Sequence, residues 1–177
     1  MSFFKFFLHS KNYFQFLNLC KTQRPITFYS ESAADWAYFE DTIKELLTAK
    51  VCVAYLASDE NDPAFKIESD FFKPFYIGAQ TIRTILFSTL DVDVLVMTLP
   101  DLNSFHLKRS VHKVHYTYIF HSIVSTHMIY RKGAFDAFDT IFCVGPHHER
   151  EIRATELLYN LPQKQLIQGG YNRIDSL

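Results

Sequence analysis

The chain is poor in glycine, with 5 among 177 residues, and has no turn of the G-x-G-x-x-G or G-x-x-x-x-G-K-[ST] kind. A tightly held dinucleotide or P-loop nucleotide is thereby disfavoured, since both need glycines that let backbone N–H groups approach phosphates. A G-x-S-x-G elbow is missing too, which argues against an ordinary α/β-hydrolase. Cysteine is scarce: Cys20, Cys52 and Cys143 are odd in number and far apart. This spacing reads as buried free thiols in a reducing compartment rather than as a disulfide framework or metal site. Charge of one sign is also lacking. A net charge of -1 and a pI near 6.7 leave no field to draw the whole molecule to nucleic acid or membrane. No apolar run reaches the ~20 residues of a spanning helix.

What is present is apolar and aromatic residue: 48% and 16% of the chain, enough for one domain with a sizeable core. Residues 1–25 stand apart as an amphipathic, aromatic-rich segment. Phe3, Phe4, Phe6, Phe7, Phe14 and Phe16 are interrupted by Lys5, His9, Lys11 and Asn12. A signal peptide would want an unbroken apolar block and a small-residue cleavage site, and neither is present, so none is expected. On a helix the aromatics crowd one side but spill around it. The segment is therefore expected to pack on the domain or a partner, with membrane-surface contact through residues 1–20 as the alternative.

From Ile26 the pattern alternates strand and helix. Ile26 to Tyr29, Val51 to Ala57, Phe75 to Ile77, Val92 to Leu99, Val114 to Phe120, Thr140 to Val144 and Leu166 to Gln168 read as strands. Trp36, Phe39, Ile43, Leu46 and Leu47 recur at helical spacing, as do Ile82, Ile85, Leu86 and Leu90. Gly145-Pro146 opens another helix that runs to about Tyr159. The expectation is α/β: a Rossmann-like parallel sheet of six or seven strands flanked by helices over residues 26–177. Function in such sheets collects at the carboxyl ends of the strands. That rule selects Ser30 to Ser32, Gly78, Pro100-Asp101, His121-Ser122, Gly145 to His148 and Gly169 to Tyr171.

Histidine is the notable excess: eight residues, all but His9 between His106 and His148. His112-x-x-His115 and His147-His148-Glu149 lack the spacing of a zinc protease helix, and no metal is expected. His106, His112 and His115, with Lys108, Arg109 and Lys113, read as a solvated basic stretch, with steering of an anionic substrate as the alternative. His121 differs by address, because it ends a central strand where an imidazole meets a substrate hydroxyl. It is the candidate base. The Gly145-Pro146-His147 turn places free backbone N–H groups at a helix start, although Pro146 itself has none, and Gly145, Pro146 and His147 are candidates for substrate contact. Gly169-Gly170-Tyr171 reads as a turn leaving the sheet.

The ordered motifs Tyr118-Ile119-Phe120-His121-Ser122, Tyr130, Ala134 to Asp139, Val144-Gly145-Pro146-His147 and Gly170-Tyr171-Asn172-Arg173-Ile174-Asp175 resemble the CDP-glycerol glycerophosphotransferase family. The resemblance spans residues 26–177 and is sharpest after His112. It implies a glycosyltransferase-B architecture of two Rossmann-like domains, no cofactor and no required metal. It further implies His121 as base, with Ser122, Gly145, Pro146, His147 and Tyr171 on the substrate side. The partners implied are a CDP-glycerol-like donor held by a second domain and a glycan or lipid-linked acceptor, in the cytoplasm and near the inner membrane face. The donor half is expected to lie outside this chain, so the isolated half is expected to be inactive. Ser122 and Ile123 stand where teichoic acid polymerases of the family commonly carry Gly and Thr. The acceptor therefore stays open between a teichoic chain and a capsule or lipopolysaccharide substituent. A nucleotide-sugar glycosyltransferase, a UDP-N-acetylglucosamine 2-epimerase-like domain and a non-catalytic glycan-binding or assembly module are the alternatives.

Overall fold

The computed structural model describes residues 3–78, 81–105 and 107–171, with side chains from Lys11 onward. Seven strands form one sheet: β1 (Ile26–Ser30), β2 (Val53–Ala57), β3 (Phe72–Tyr76), β4 (Val94–Met97), β5 (His115–Ile119), β6 (Thr140–Cys143) and β7 (Gln165–Gln168). Their order is β3-β2-β1-β4-β5-β6-β7, and every neighbouring pair is parallel. The helices are α1 (Phe3–Asn18), α2 (Trp36–Thr48), α3 (Thr81–Thr89), the short α4 (Thr126–Ile129) and α5 (Pro146–Tyr159).

The strands are apolar on both faces because both faces are covered. In β2, Val53, Tyr55 and Ala57 join one buried cluster, whereas Ala54 and Leu56 join the other. Trp36, Phe39 and Ile43 of α2 close the first layer, and Phe16 of α1, Leu86 and Phe87 of α3 and Ile152 of α5 close the second. Helices thus change face where the strand order changes direction, as right-handed crossovers require. The change falls between β1 and β4, which flank each other although β2 and β3 intervene in sequence.

Several elements depart from their expected bounds. Strand β3 begins at Phe72, ahead of its expected start at Phe75, because Pro74, which lacks a ladder N–H, interrupts its apolar pattern. An edge strand tolerates that loss, and β3 is an edge. Residues 126–129, expected within a connection, form α4. The N-terminal segment packs on the domain. Phe16 is fully buried against Phe75, Arg24 lies over the Phe16 ring, and Asn12 donates to the Tyr76 carbonyl. Of the three thiols only Cys143 is buried. Cys20 is exposed because it follows the end of α1 and caps a 3-10 turn, and Cys52 is half-buried.

The basic stretch leads into β5 at the amino edge of the sheet, and Lys108, His112, Lys113 and His115 are exposed, as in the solvated reading. Arg109 is bound to Asp139, to the Ala137 and Val114 carbonyls and over the Tyr116 ring. His115 bonds Thr140, while His106 lies outside the described residues.

Candidate functional site

Residues Tyr116 and Tyr118 of β5 are buried in the core, so the strand is pinned and its end is fixed. Phe120 is buried against His148, and the next residue, His121, emerges half-buried at the carboxyl edge. Its Nδ1 lies 3.1 Å from the carbonyl of Thr98, just beyond β4. A carbonyl only accepts, so Nδ1 carries a proton, and in the neutral ring Nε2 is the bare nitrogen. The Tyr118 hydroxyl, 3.4 Å from Nδ1, lies on the same side of the ring. Burial holds that phenol well above its ordinary pKa, so it stays protonated. Tyr38 and Tyr130 stand edge-on to the imidazole, at centroid distances of 6.2 and 6.3 Å. Among the described residues Nε2 has no hydrogen-bond partner.

His121 opens onto a cleft of about 340 Å³. One wall is the turn after β1, with Glu31, Ser32 and Asp35; the other is the end of β4, from Thr98 to Pro100. This is the topological switch point, where the connections from β1 and β4 diverge and leave a crevice. The turn is rigid because Asp35 accepts from the N–H groups of Glu31 and Ser32, at 2.8 and 3.2 Å, while Ser32 Oγ accepts from Ala34 N. Asp35 is thereby committed to the backbone. Glu31 instead pairs with Arg83 of α3 at 2.7 Å.

The other expected site residues divide into two groups. Ser122 and Tyr171 gather around His121. Ser122 Oγ is 3.2 Å from the Tyr130 hydroxyl, and the Tyr171 hydroxyl donates to the His121 carbonyl at 3.1 Å. Tyr38 bridges the His121 and Tyr171 rings, with centroids 6.2 Å from each. Gly145, Pro146 and His147 do not line the cleft with His121. Gly145 is the extended N-cap of α5, and Pro146 opens that helix. His147 donates through Nε2 to the Ile123 carbonyl, and His148 does the same to Val124.

These two imidazoles latch the loop that follows the candidate base. Burial pushes His148 below its ordinary pKa, so it stays neutral. Glu151 completes the latch by accepting from both N and Oγ1 of Thr126. Its burial raises the carboxyl pKa, but the hydrogen bonds from Thr126 and Ser125 and the charge of His127 outweigh that and hold it at about 2. Residues 172–175 of the motif lie outside the described residues. A second hollow of about 290 Å³ lies between α5 and residues 130–136, away from His121.

No group of three or more metal-binding side chains occurs among the described residues, and no described helix is long and apolar enough to cross a membrane. Sequence reasoning selected the Ser30 to Ser32 turn by its strand-end position but missed Thr98 and Arg83. The first acts through its backbone, which no residue type reveals. The second had one signal, an Arg in the first turn of a helix shortly after Gly78.

The chain is thus a Rossmann-like α/β protein with an imidazole at the switch-point crevice of an all-parallel sheet. Family models, curated proteins and solved structures yield no match to it.

Proposed function

We propose that this chain is the acceptor-side half of a CDP-glycerol glycerophosphotransferase-like enzyme, which transfers an alditol phosphate from a CDP donor to a surface-glycan hydroxyl. One observation carries the reading: the Thr98 carbonyl consumes the Nδ1 proton of His121, leaving Nε2 bare and without a described partner beside the crevice. In the proposed reaction the acceptor oxygen attacks the glycerol-bearing phosphorus as its proton passes to Nε2. The bond from phosphorus to the CMP oxygen breaks, and CMP leaves with the electron pair. An imidazole suits this task because its ordinary pKa lies near neutrality, so it accepts a proton without being already charged. Thr98 orients the ring and stabilises the imidazolium once formed, the role that a third group plays beside a catalytic base.

Ser122 and Tyr130 on the following loop, and Tyr171 beyond β7, gather around His121 and contribute polar edges to the acceptor side. The motif resemblance from Tyr118 onward supplies the donor identity. Peripheral contact with the membrane through residues 1–20 is part of the proposal only as access to a lipid-linked acceptor, and Phe14 is exposed on that helix.

The test is CMP release from CDP-glycerol, with UDP-sugars as competing donors, read by 31P NMR in a two-domain enzyme assembled with a CDP-binding second domain. His121→Gln should abolish turnover while the fold is retained. Unchanged turnover in that variant, or a preference for UDP-sugars, would overturn the assignment.

A further inference from the structure

Arg83 is seated with more care than a surface ion pair needs. Its NH1 donates to the Tyr29 hydroxyl at 3.2 Å as well as to Glu31 at 2.7 Å. Since Tyr29 accepts there, its own proton goes to Ser58 Oγ, 3.0 Å away, and Ser58 in turn donates to the Gly78 carbonyl at 2.9 Å. The order Arg83, Tyr29, Ser58, Gly78 is a directed chain in which each hydroxyl accepts one bond and donates the next. Burial raises the pKa of Tyr29, which keeps its proton in place. The cation is thus built into the carboxyl edge of β1.

Its counter-ion is not. The Arg83 side chain is 14% exposed, whereas Glu31 is 45% exposed and contacts the guanidinium through one oxygen and one nitrogen. A guanidinium favours two parallel bonds to an oxyanion, and here that fork is not used. The Nε atom is buried without a partner, which leaves the cation under-satisfied. Glu31 itself lines the crevice that His121 faces. A fixed, partly desolvated cation behind the crevice wall, covered by a loose single-point carboxylate that lines the crevice, is the arrangement of an anion site occupied by an internal surrogate.

We infer that Arg83 receives an anionic group of the ligand, a phosphate ester, which replaces the Glu31 carboxylate in the crevice. The exchange conserves charge at Arg83, and it moves the Glu31 carboxylate from the buried cation to solvent. The inference deepens the acceptor-side reading and rests on it only for the role of the phosphate, not for its binding. The phosphate belongs either to a phosphorylated acceptor or to the donor, and the same site chemistry serves both.

The experiment is titration of the chain with sn-glycerol 3-phosphate, CMP and neutral glycerol, followed by calorimetry and by 31P NMR. The expected result is binding of the phosphate esters but not of glycerol. Glu31→Gln, a change at an exposed side chain, should tighten that binding on the order of tenfold by removing the competing charge. Arg83→Gln should abolish it, with circular dichroism and thermal melting reporting the fold, and Arg83→Lys should retain a weaker, monodentate site. Preference for glycerol phosphate assigns the anion to the acceptor and preference for CMP assigns it to the donor, and both support the site. Unchanged or weaker phosphate binding in Glu31→Gln, or glycerol bound as well as its phosphate, would overturn it. His121→Gln should leave phosphate binding intact, which separates failure of the anion site from failure of the proposed base.

Discussion

The two rims of the sheet use the same residue types to opposite ends. At the amino rim, Arg109 spends its nitrogens on Asp139 at 3.0 Å and the Ala137 carbonyl at 2.7 Å, and its plane covers the Tyr116 ring. Asp139 also accepts from Tyr116 N at 2.8 Å, and His115 is bonded to Thr140 at 2.7 Å. At the carboxyl rim, the Nε2 of His121 is bare and Arg83 holds its carboxylate through a single nitrogen. Arg24 is the amino-rim exception with an unpartnered Nε, but it is buried and sealed over Phe16. An arginine, a histidine and a carboxylate therefore mean nothing by type alone. What separates His121 and Arg83 from Arg109 and His115, and from Asp35, His147 and His148 on their own rim, is that the fold has not consumed all of their hydrogen-bonding capacity.

That contrast breaks most sharply at the two histidines. His121→Gln should cost about 10²–10⁴-fold in transfer, the usual contribution of a positioned base, with little change in melting temperature. His115→Gln at the amino rim should leave transfer unchanged. Equal loss in both, measured as CMP release, would erase the distinction between the rims. The complementary change is Asp139→Ala, which strands Arg109 and the Tyr116 N–H together. It should destabilise the fold by about 2–3 kcal/mol, read from the urea midpoint, without altering phosphate-ester binding.

Acid should loosen the carboxyl rim first. The pKa of His148 is depressed in the fold, so its contribution to stability is whole above its ordinary value of 6.5 and declines as pH falls below it. Glu151 is likewise depressed, from 4.5 to about 2, and its contribution is lost as pH falls between those values. Amide exchange of residues 123–126 should rise in these two stages, and a flat profile across both windows would show that the latch does not govern the loop. The smallest effect belongs to Tyr171→Phe. Loss of the hydroxyl that holds the His121 carbonyl should cost about 1 kcal/mol, seen as faster exchange around His121 more than as a lower melting point.

Much of this molecule is legible before folding because strand character is local. The apolar run of β2 and the spacing of Trp36, Phe39 and Ile43 state their elements and their buried faces without reference to any distant residue. The run ending at Phe120 places His121 at a strand end for the same reason. Strand β3 was legible only from Phe75 onward because Pro74 breaks the pattern yet is harmless at an edge, and edge position is a property of the assembled sheet.

The site follows the same division. Residue types and their order along the chain determined a parallel α/β layer structure and put an imidazole where such layers keep their ligands. Only the tertiary structure decided which nitrogen of that imidazole is free, since the deciding carbonyl lies 23 residues away on a strand made adjacent by the crossover. The pairing of Arg83 with Glu31, 52 residues apart, is of the same kind. Periodicity reports which side of its own element a residue occupies; hydrogen-bond partners across the sheet depend on strand order, which arises from the packing of helices on opposite faces.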